Sequence, residues 1–283
     1  MSYLFSILMG ILQGVTEFLP VSSSGHLTLF QYFFGQDPES TDMLFTILLH
    51  FGTLISVCVY YWRDVLGMIR EFFLGLAAIF SRKGTTGRPP EARRLVLMVI
   101  VATLPLFAVL LVKDWLDAAF SNVTFVSLAL IATGFILFFS DRMAKGHKNA
   151  RTATMKDALI VGCVQAVATL PGLSRAGTTI SAGMMVGFDR TFAVRFSFLM
   201  SLPAVLGANI LEVVDAAASA SFDLSLLPMY VVGVVVAGVV GYLAIRLVNM
   251  LAQKGKFGKF AYYCWAVGAI SLVAGTIVPM FSK

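Results

Sequence analysis

Gln13-Gly-Val-Thr-Glu17-Phe-Leu-Pro20-Val-Ser22-Ser23-Ser24-Gly25-His26 is the stretch on which the reading of this chain turns. Within 14 residues it gathers an amide, a carboxylate, three consecutive serine hydroxyls, an imidazole and a helix-breaking proline. Apolar runs at 2–12 and 27–34 flank it on both sides. A charged group at bilayer depth costs about 2.5–3.5 kcal/mol on insertion scales, so polar groups found there mark function by default. The plainer alternative is a solvated loop between two short spans.

Composition decides which setting applies. The chain is 58% hydrophobic and 13% charged, with mean hydropathy +0.87. Soluble domains carry about 25% charged residues, so this is a polytopic membrane protein. The net charge of +6 is no nucleic-acid signal, because the basic residues fall in particular loops and form no single patch. Cys58, Cys163 and Cys264 stand singly in apolar runs and read as small core residues, without a disulfide or metal framework. The N-terminal region lacks the basic segment and small-residue cleavage site expected of a signal peptide.

Six segments are long and apolar enough to span: 43–62, 95–112, 123–139, 191–214, 226–249 and 260–280. Pro105 is an expected kink in the second, and Arg195 in the fourth needs a partner or a headgroup. Residues 65–80 suit an interfacial helix, 84–90 a loop, 113–122 a short turn and 215–225 a small-residue loop. The basic loops 63–94, 140–156 and 246–259 hold 16 of the 21 Lys and Arg, whereas 36–42, 113–122 and 214–225 hold Lys113 alone. The positive-inside rule therefore places the basic loops in the cytoplasm and the acidic ones outside.

This alternation constrains the remaining segments. Region 157–190 starts inside, and span 191–214 must also leave from inside, so 157–190 cannot cross. Its apolar arm, 158–170, has the length of a re-entrant segment. Region 1–35 is built alike, and Gly10-Ile-Leu-Gln13-Gly-Val-Thr-Glu-Phe-Leu19-Pro20 echoes Gly162-Cys-Val-Gln165-Ala-Val-Ala-Thr-Leu170-Pro171 with one deletion. Each hairpin is followed by three spans, and an odd number reverses orientation. The expectation is an all-α fold of six transmembrane helices plus two re-entrant hairpins, in an inverted repeat of residues 1–139 and 157–280. Such folds place their site near the midplane, where broken helices meet.

If the hairpin tips meet, the pooled groups are Gln13, Glu17, Ser22, Ser23, Ser24 and His26 with Ser174, Arg175, Gly177, Thr178 and Thr179. A guanidinium at the apex of an apolar hairpin needs an anion. The fork of Arg175 matches phosphate oxygens, helped by backbone N–H groups of a Gly-rich helix start. An internal Arg175–Glu17 salt bridge is the plainer reading, and the two can coexist. Glu17 and Gln13 share a helix face, so Glu17 could ligate a divalent cation or act as a general base. Ser23 and His26 are close enough for a hydroxyl–imidazole pair if the turn is helical, and one of Ser22 to Ser24 should cap the returning helix. His50 reads as a packed, hydrogen-bonded core histidine and His147 as solvated.

Together, Gln13-x-x-x-Glu17-Phe-Leu-Pro-Val-Ser-Ser-Ser-Gly-His26 and Pro171-Gly-Leu-Ser-Arg175-x-Gly-x-Thr179 resemble the bacterial undecaprenyl-diphosphate phosphatases, the BacA/UppP family, along essentially the whole chain. The resemblance implies a bacterial inner-membrane hydrolase with its site open to the periplasm. Such an enzyme removes the terminal phosphate of undecaprenyl diphosphate, recycles the cell-wall lipid carrier and confers bacitracin resistance. It implies catalytic roles for Glu17, Ser23, His26 and Arg175. Phosphate contacts are implied for Ser22, Ser24, Ser174, Gly177, Thr178 and Thr179. A Mg²⁺ or Ca²⁺ ion at Glu17 and Gln13 would bridge to the diphosphate. Ala176 stands where many members have Ser, and Gln13 replaces a Glu of some members, which puts a two-carboxylate metal site in doubt. The expected partners are a polyprenyl diphosphate and membrane lipids, and the Gly-rich span 226–249 leaves a homodimer open. The rival reading is a flippase or ion-coupled carrier of a polyprenyl phosphate, since carriers share inverted repeats; the Ser23–His26 pair favours chemistry.

Overall fold

The computed structural model describes residues 2–34, 43–81, 90–143, 146–219 and 226–281, which form thirteen α-helices and no strand. Five helical stretches are long and apolar enough to cross a membrane: Glu91–Leu116, Val123–Arg142, Arg190–Leu211, Leu227–Gln253 and Phe257–Thr276. A sixth, Leu44–Tyr60, turns through 90° into Trp62–Ala78. The six spans read from the sequence thus all fall on helices, and residues 65–80 are helical as expected. The corresponding helices are α3 (Met43–Tyr60), the laterally lying α4 (Trp62–Ser81), α5 (Glu91–Thr103), α8 (Val123–Arg142), α11 (Arg190–Ser219), α12 (Leu227–Gln253) and α13 (Phe260–Phe281).

Several boundaries differ from expectation. At Pro105 the second span is interrupted, as expected of a kink, within one stretch Glu91–Leu116: α5 stops at Thr103, and α6 (Leu106–Val109) and a 3-10 turn carry the chain to Val112. Proline has no N–H to donate and its ring collides with the carbonyl four residues back. The turn expected at 113–122 is a helix, α7 (Lys113–Phe120), and Asn122 then caps α8 by accepting from the Phe125 amide at 3.0 Å. The loop expected from 215 is helical to Ser219, as its run of alanines favours. The acidic loop 36–42 and most of the 84–90 loop lie outside the described residues.

Two short helical pairs make up the remainder: α1 (Tyr3–Phe18) with α2 (Ser23–Phe34), and α9 (Met155–Val167) with α10 (Arg175–Met185). Where each begins follows from its neighbours. Arg94 donates to the carbonyls of Ala150 at 3.2 Å and Ala153 at 2.7 Å, and Asp141 accepts from the Gly258 amide at 3.0 Å and from Arg190. The three basic segments therefore meet at one end of the bundle. There α9 starts, behind a capping box of Thr154 and Asp157. There α10 also ends, because the Lys148 amide donates to the Gly187 carbonyl at 2.9 Å and the Asp189 amide to Lys148 at 2.8 Å. The α9–α10 pair leaves and rejoins the same end.

The α1–α2 pair starts at the opposite end. α1 runs parallel to α12, with Gly10 against the backbone of Gly233 and Gly14 against that of Ala237 and Gly241. α12 ends in the basic segment, so α1 begins far from it. In the same manner α9 runs beside α5, Gly162 lying against Ala102. Glycine permits these close approaches, which take the place of a hydrophobic driving force between helices in lipid. Gly233 and Gly241 of α12 also receive Phe45, Leu49 and Ser56 of α3. These glycines serve contacts inside the chain. Arg195 finds its partners in Asp64 and Glu91, with Nε and Nη1 contacts of 2.9 Å each. Of the cysteines, Cys264 is buried and Cys58 half-buried as core residues, but Cys163 is exposed on the outward side of α9.

Candidate active site

The first tip is shaped by Pro20 and Ser22. α1 stops at Phe18, and Ser22 adopts φ +69°, a left-handed conformation that a non-glycine residue holds only under constraint. Its hydroxyl accepts from the Gly25 amide at 3.1 Å and so caps α2. Ser174 does the same for α10, accepting from the Gly177 amide at 3.0 Å. One of the three serines was expected to cap, and it is Ser22.

The tips interlock through small residues. A Cβ on Gly25 would lie 3.1 Å from the Gly172 Cα, and one on Gly177 would lie 2.9 Å from the Pro20 Cβ. Gly172 itself sits at φ +90° against the Val126 carbonyl of α8. Each tip thus presses a glycine on the other, and the polar residues of both are brought to one place as the sequence led us to expect.

Glu17 is the hub, buried at 9% exposure. Its Oε1 accepts from Nη2 of Arg175. Its Oε2 accepts from the Ser23 hydroxyl at 2.9 Å and from Gln13 Nε2 at 3.2 Å. The internal ion pair is therefore formed, joining the two hairpins across 158 residues of sequence. Nη1 of Arg175 and the Thr178 hydroxyl are buried without a protein partner. Arg175 consequently keeps half its fork for a ligand while the other half holds Glu17.

Other site residues fall differently from expectation. The Ser23–His26 pair is not formed: Ser23 turns to Glu17, and both ring nitrogens of His26 are engaged elsewhere. Nδ1 donates to the Ser22 carbonyl at 2.8 Å, which fixes Nε2 of the neutral ring as acceptor, and Nε2 meets the Tyr263 hydroxyl at 2.8 Å. The rings stack with centroids 5.6 Å apart and 7° between planes. Ser24 contacts the Ser22 hydroxyl at 3.3 Å. Thr179 is fully buried, donates to the Arg175 carbonyl at 2.7 Å and meets Ser197 Oγ at 2.6 Å, so it ties α10 to α11 and does not face the tip. The Gly177 amide serves the cap, so among the helix-start amides those of Arg175 and Ala176 are left to face an anion.

Two residues escaped the sequence reading. His50 is not a packed core histidine: its side chain is 29% exposed, its Nδ1 accepts from Gln13 Nε2 at 3.0 Å, and it lies 3.8 Å from Glu17 Oε2. Nothing polar adjoins it in sequence, and only the packing of α3 beside α1 makes it part of the site. Tyr263 likewise arrives on α13, 237 residues from His26. His147 is exposed, as expected.

For a metal ion, the described residues hold no group of three or more His, Cys, Asp or Glu. Glu17 is the single carboxylate at the tips, with Gln13 beside it. A donor set this small suits an ion that arrives with phosphate oxygens and its own waters, as Mg²⁺ commonly does, rather than one held in a cage of protein ligands.

A family model described as "Bacitracin resistance protein BacA" matches residues 6–270, from the first turns of α1 to the middle of α13. The chain belongs to the BacA family. It is 38% identical over 272 residues to an undecaprenyl-diphosphatase of Halothermothrix orenii, covering 96% of this chain and 97% of that one. A Methanobrevibacter smithii protein of the same name is 38% identical over 284 residues, 99% of this chain and all of its own. One from Syntrophotalea carbinolica is 39% identical over 275 residues, 95% and 98% of the two. Family and fold together make this a multi-pass membrane protein.

Proposed function

We propose that this chain removes the terminal phosphate of undecaprenyl diphosphate, at the interlocked tips of two hairpins that dip into the membrane from opposite faces. The observation that carries the reading is Glu17 held between Arg175 and Ser23, with one nitrogen of the Arg175 fork left free. Family membership and the name borne by the relatives supply the substrate. Two parallel pairs, α1 with α12 and α9 with α5, support an inverted repeat, since exchanging the halves turns one pair into the other. The product would be the lipid monophosphate that carries cell-wall precursors. Depleting the diphosphate, which bacitracin binds, gives resistance.

The mechanism has two displacements. Ser23 Oγ attacks the terminal phosphorus and its proton passes to Glu17 Oε2, already its hydrogen-bond acceptor. The bridging P–O bond breaks and its electrons leave on the lipid monophosphate. Arg175 Nη1 and the α10 start take up the charge on the terminal oxygens. Water then attacks the phosphoserine, giving one proton to His26 Nε2, while Glu17 returns its proton to Ser23 Oγ as inorganic phosphate leaves. His26 becomes free for this when the Tyr263 hydroxyl swings away. Glu17 and the Gln13 side-chain carbonyl would be the residues to hold a Mg²⁺ or Ca²⁺ ion delivered with the substrate. That ion would neutralise diphosphate charge.

The basic end of the bundle is cytoplasmic by the positive-inside rule. The tip carrying Ser23 enters from the other side, which opens the site to the periplasm of a bacterial inner membrane. Detergent-solubilised protein given farnesyl or undecaprenyl diphosphate should release phosphate, which a carrier would not. Arg175→Lys should lose at least about a hundredfold in turnover, since a point charge cannot hold Glu17 and phosphate together. Parental rates in that variant would overturn the role of the fork, and no phosphate release from the unaltered protein would favour the carrier.

A further inference from the structure

Gln165 is the counterpart of Gln13 in the repeated sequence, yet the two fare oppositely. The Gln13 amide nitrogen is engaged with both Glu17 and His50. Gln165 is 1% exposed, and neither its amide oxygen nor its nitrogen has a hydrogen-bond partner. Burying an amide without partners forfeits its hydrogen bonds to water, so such a residue calls for an explanation. Gln165 lines a cleft of about 370 Å³ whose other polar edge is Arg175, the residue with the unpartnered Nη1. Thr103 and Thr169 also line it, but their hydroxyls donate to the backbone carbonyls of Val99 and Ala166, and the rest of the wall is apolar, with Phe107 and Leu110 beyond Pro105 and Pro203 and Leu211 of α11. Phe107 is 65% exposed and Leu211 52%, so the cleft opens sideways, toward lipid. A second apolar groove of about 360 Å³ continues it past the shared Phe107 and Pro203 toward α4.

We propose that this cleft seats the substrate's lipid-linked phosphate. The Gln165 amide donates to the phosphate that stays on the lipid, while Arg175 holds the one that leaves, and the first isoprene units lie on Phe107, Leu110 and Leu211. This rests on the phosphatase reading and adds the positioning residue for the second phosphate and the route for the chain. An apolar pocket with two convergent polar groups suits an amphiphile whose head must be desolvated as it enters from the bilayer.

The test uses the full-length protein in detergent, with farnesyl diphosphate as the probe. Gln165→Leu should raise KM about ten- to a hundredfold, with a smaller change in kcat, because a hydrogen bond to a charged group is lost. Its thermal midpoint without ligand should equal or exceed the parental value, as no protein hydrogen bond is removed, and the stabilisation given by farnesyl diphosphate should shrink. Gly207→Trp, at a cleft position where an added Cβ meets nothing within 4 Å, should raise KM without altering the unliganded midpoint. A purely structural Gln165 would instead lower the midpoint and leave KM alone, which would overturn the proposal, as would parental KM in both variants. If the unaltered protein releases no phosphate, the phosphatase reading falls separately. The ligand-induced shift in thermal midpoint then still decides whether Gln165 and Gly207 line a binding site.

Discussion

Glu17 is where the residue-scale account is most exposed. A single carboxylate accepts from the Ser23 hydroxyl and closes an ion pair with Arg175, and in the proposed mechanism it also takes the proton of Ser23. Glu17→Gln keeps the shape but removes both the base and the charge, so turnover should fall about 10²- to 10⁴-fold. Stability should fall as well, because Arg175 is left as an unpaired buried cation, a loss of about 3–5 kcal/mol. Measuring thermal midpoint beside turnover separates the two effects: Glu17→Gln should lose both, whereas Ser23→Ala should lose turnover and keep its midpoint. At this scale the sequence was informative about which types of residue gather and less so about who bonds whom. Gln13, Glu17, Ser23 and Arg175 were legible because their polarity stood out in an apolar chain. The pairing of Ser23 with Glu17 in place of His26 was not, since it depends on the left-handed turn at Ser22. His50 and Tyr263 were invisible for the same reason that most lipid-protein contacts are: each stands alone in an apolar run, and only helix packing gives it neighbours.

Among elements, the glycine-lined seams do the work that burial from water does in soluble proteins. Gly172→Ala must accept both a positive φ and a Cβ against the Val126 carbonyl and Ala129, so it should destabilise by about 1–3 kcal/mol and lower phosphate release by disturbing the tips. Gly75, on α4, has nothing within 4 Å of an added Cβ. Gly75→Ala should be neutral or stabilising by about 0.5–1 kcal/mol. A comparison of midpoints in detergent checks both, and equal effects would mean the seams matter less than their geometry indicates. Span positions could be read in advance because 20-residue apolar runs have few alternatives. The helix α7 and the end of α11 were missed because short polar connections carry weak periodicity, and propensity alone had to decide them.

At the scale of the whole molecule, orientation follows from charge, and the structure adds that the basic segments converge physically at one end, through Arg94, Asp141 and Arg190. In a background with its three cysteines replaced, Ser121→Cys should react with a membrane-impermeant maleimide in intact cells, and Lys156→Cys only after permeabilisation. The reverse pattern would put the site on the cytoplasmic face. Two helical hairpins from opposite ends of the bundle place Glu17 between Ser23 of its own hairpin and Arg175 of the other, which the proposed mechanism uses as nucleophile and phosphate clamp. That division of labour makes a definite demand on stereochemistry. With a terminal thiophosphate made chiral by oxygen isotopes and hydrolysed in water carrying the third isotope, two in-line displacements through Ser23 should deliver inorganic thiophosphate with its configuration at phosphorus retained. Inversion would mean that water attacks directly and that Ser23 is not the nucleophile.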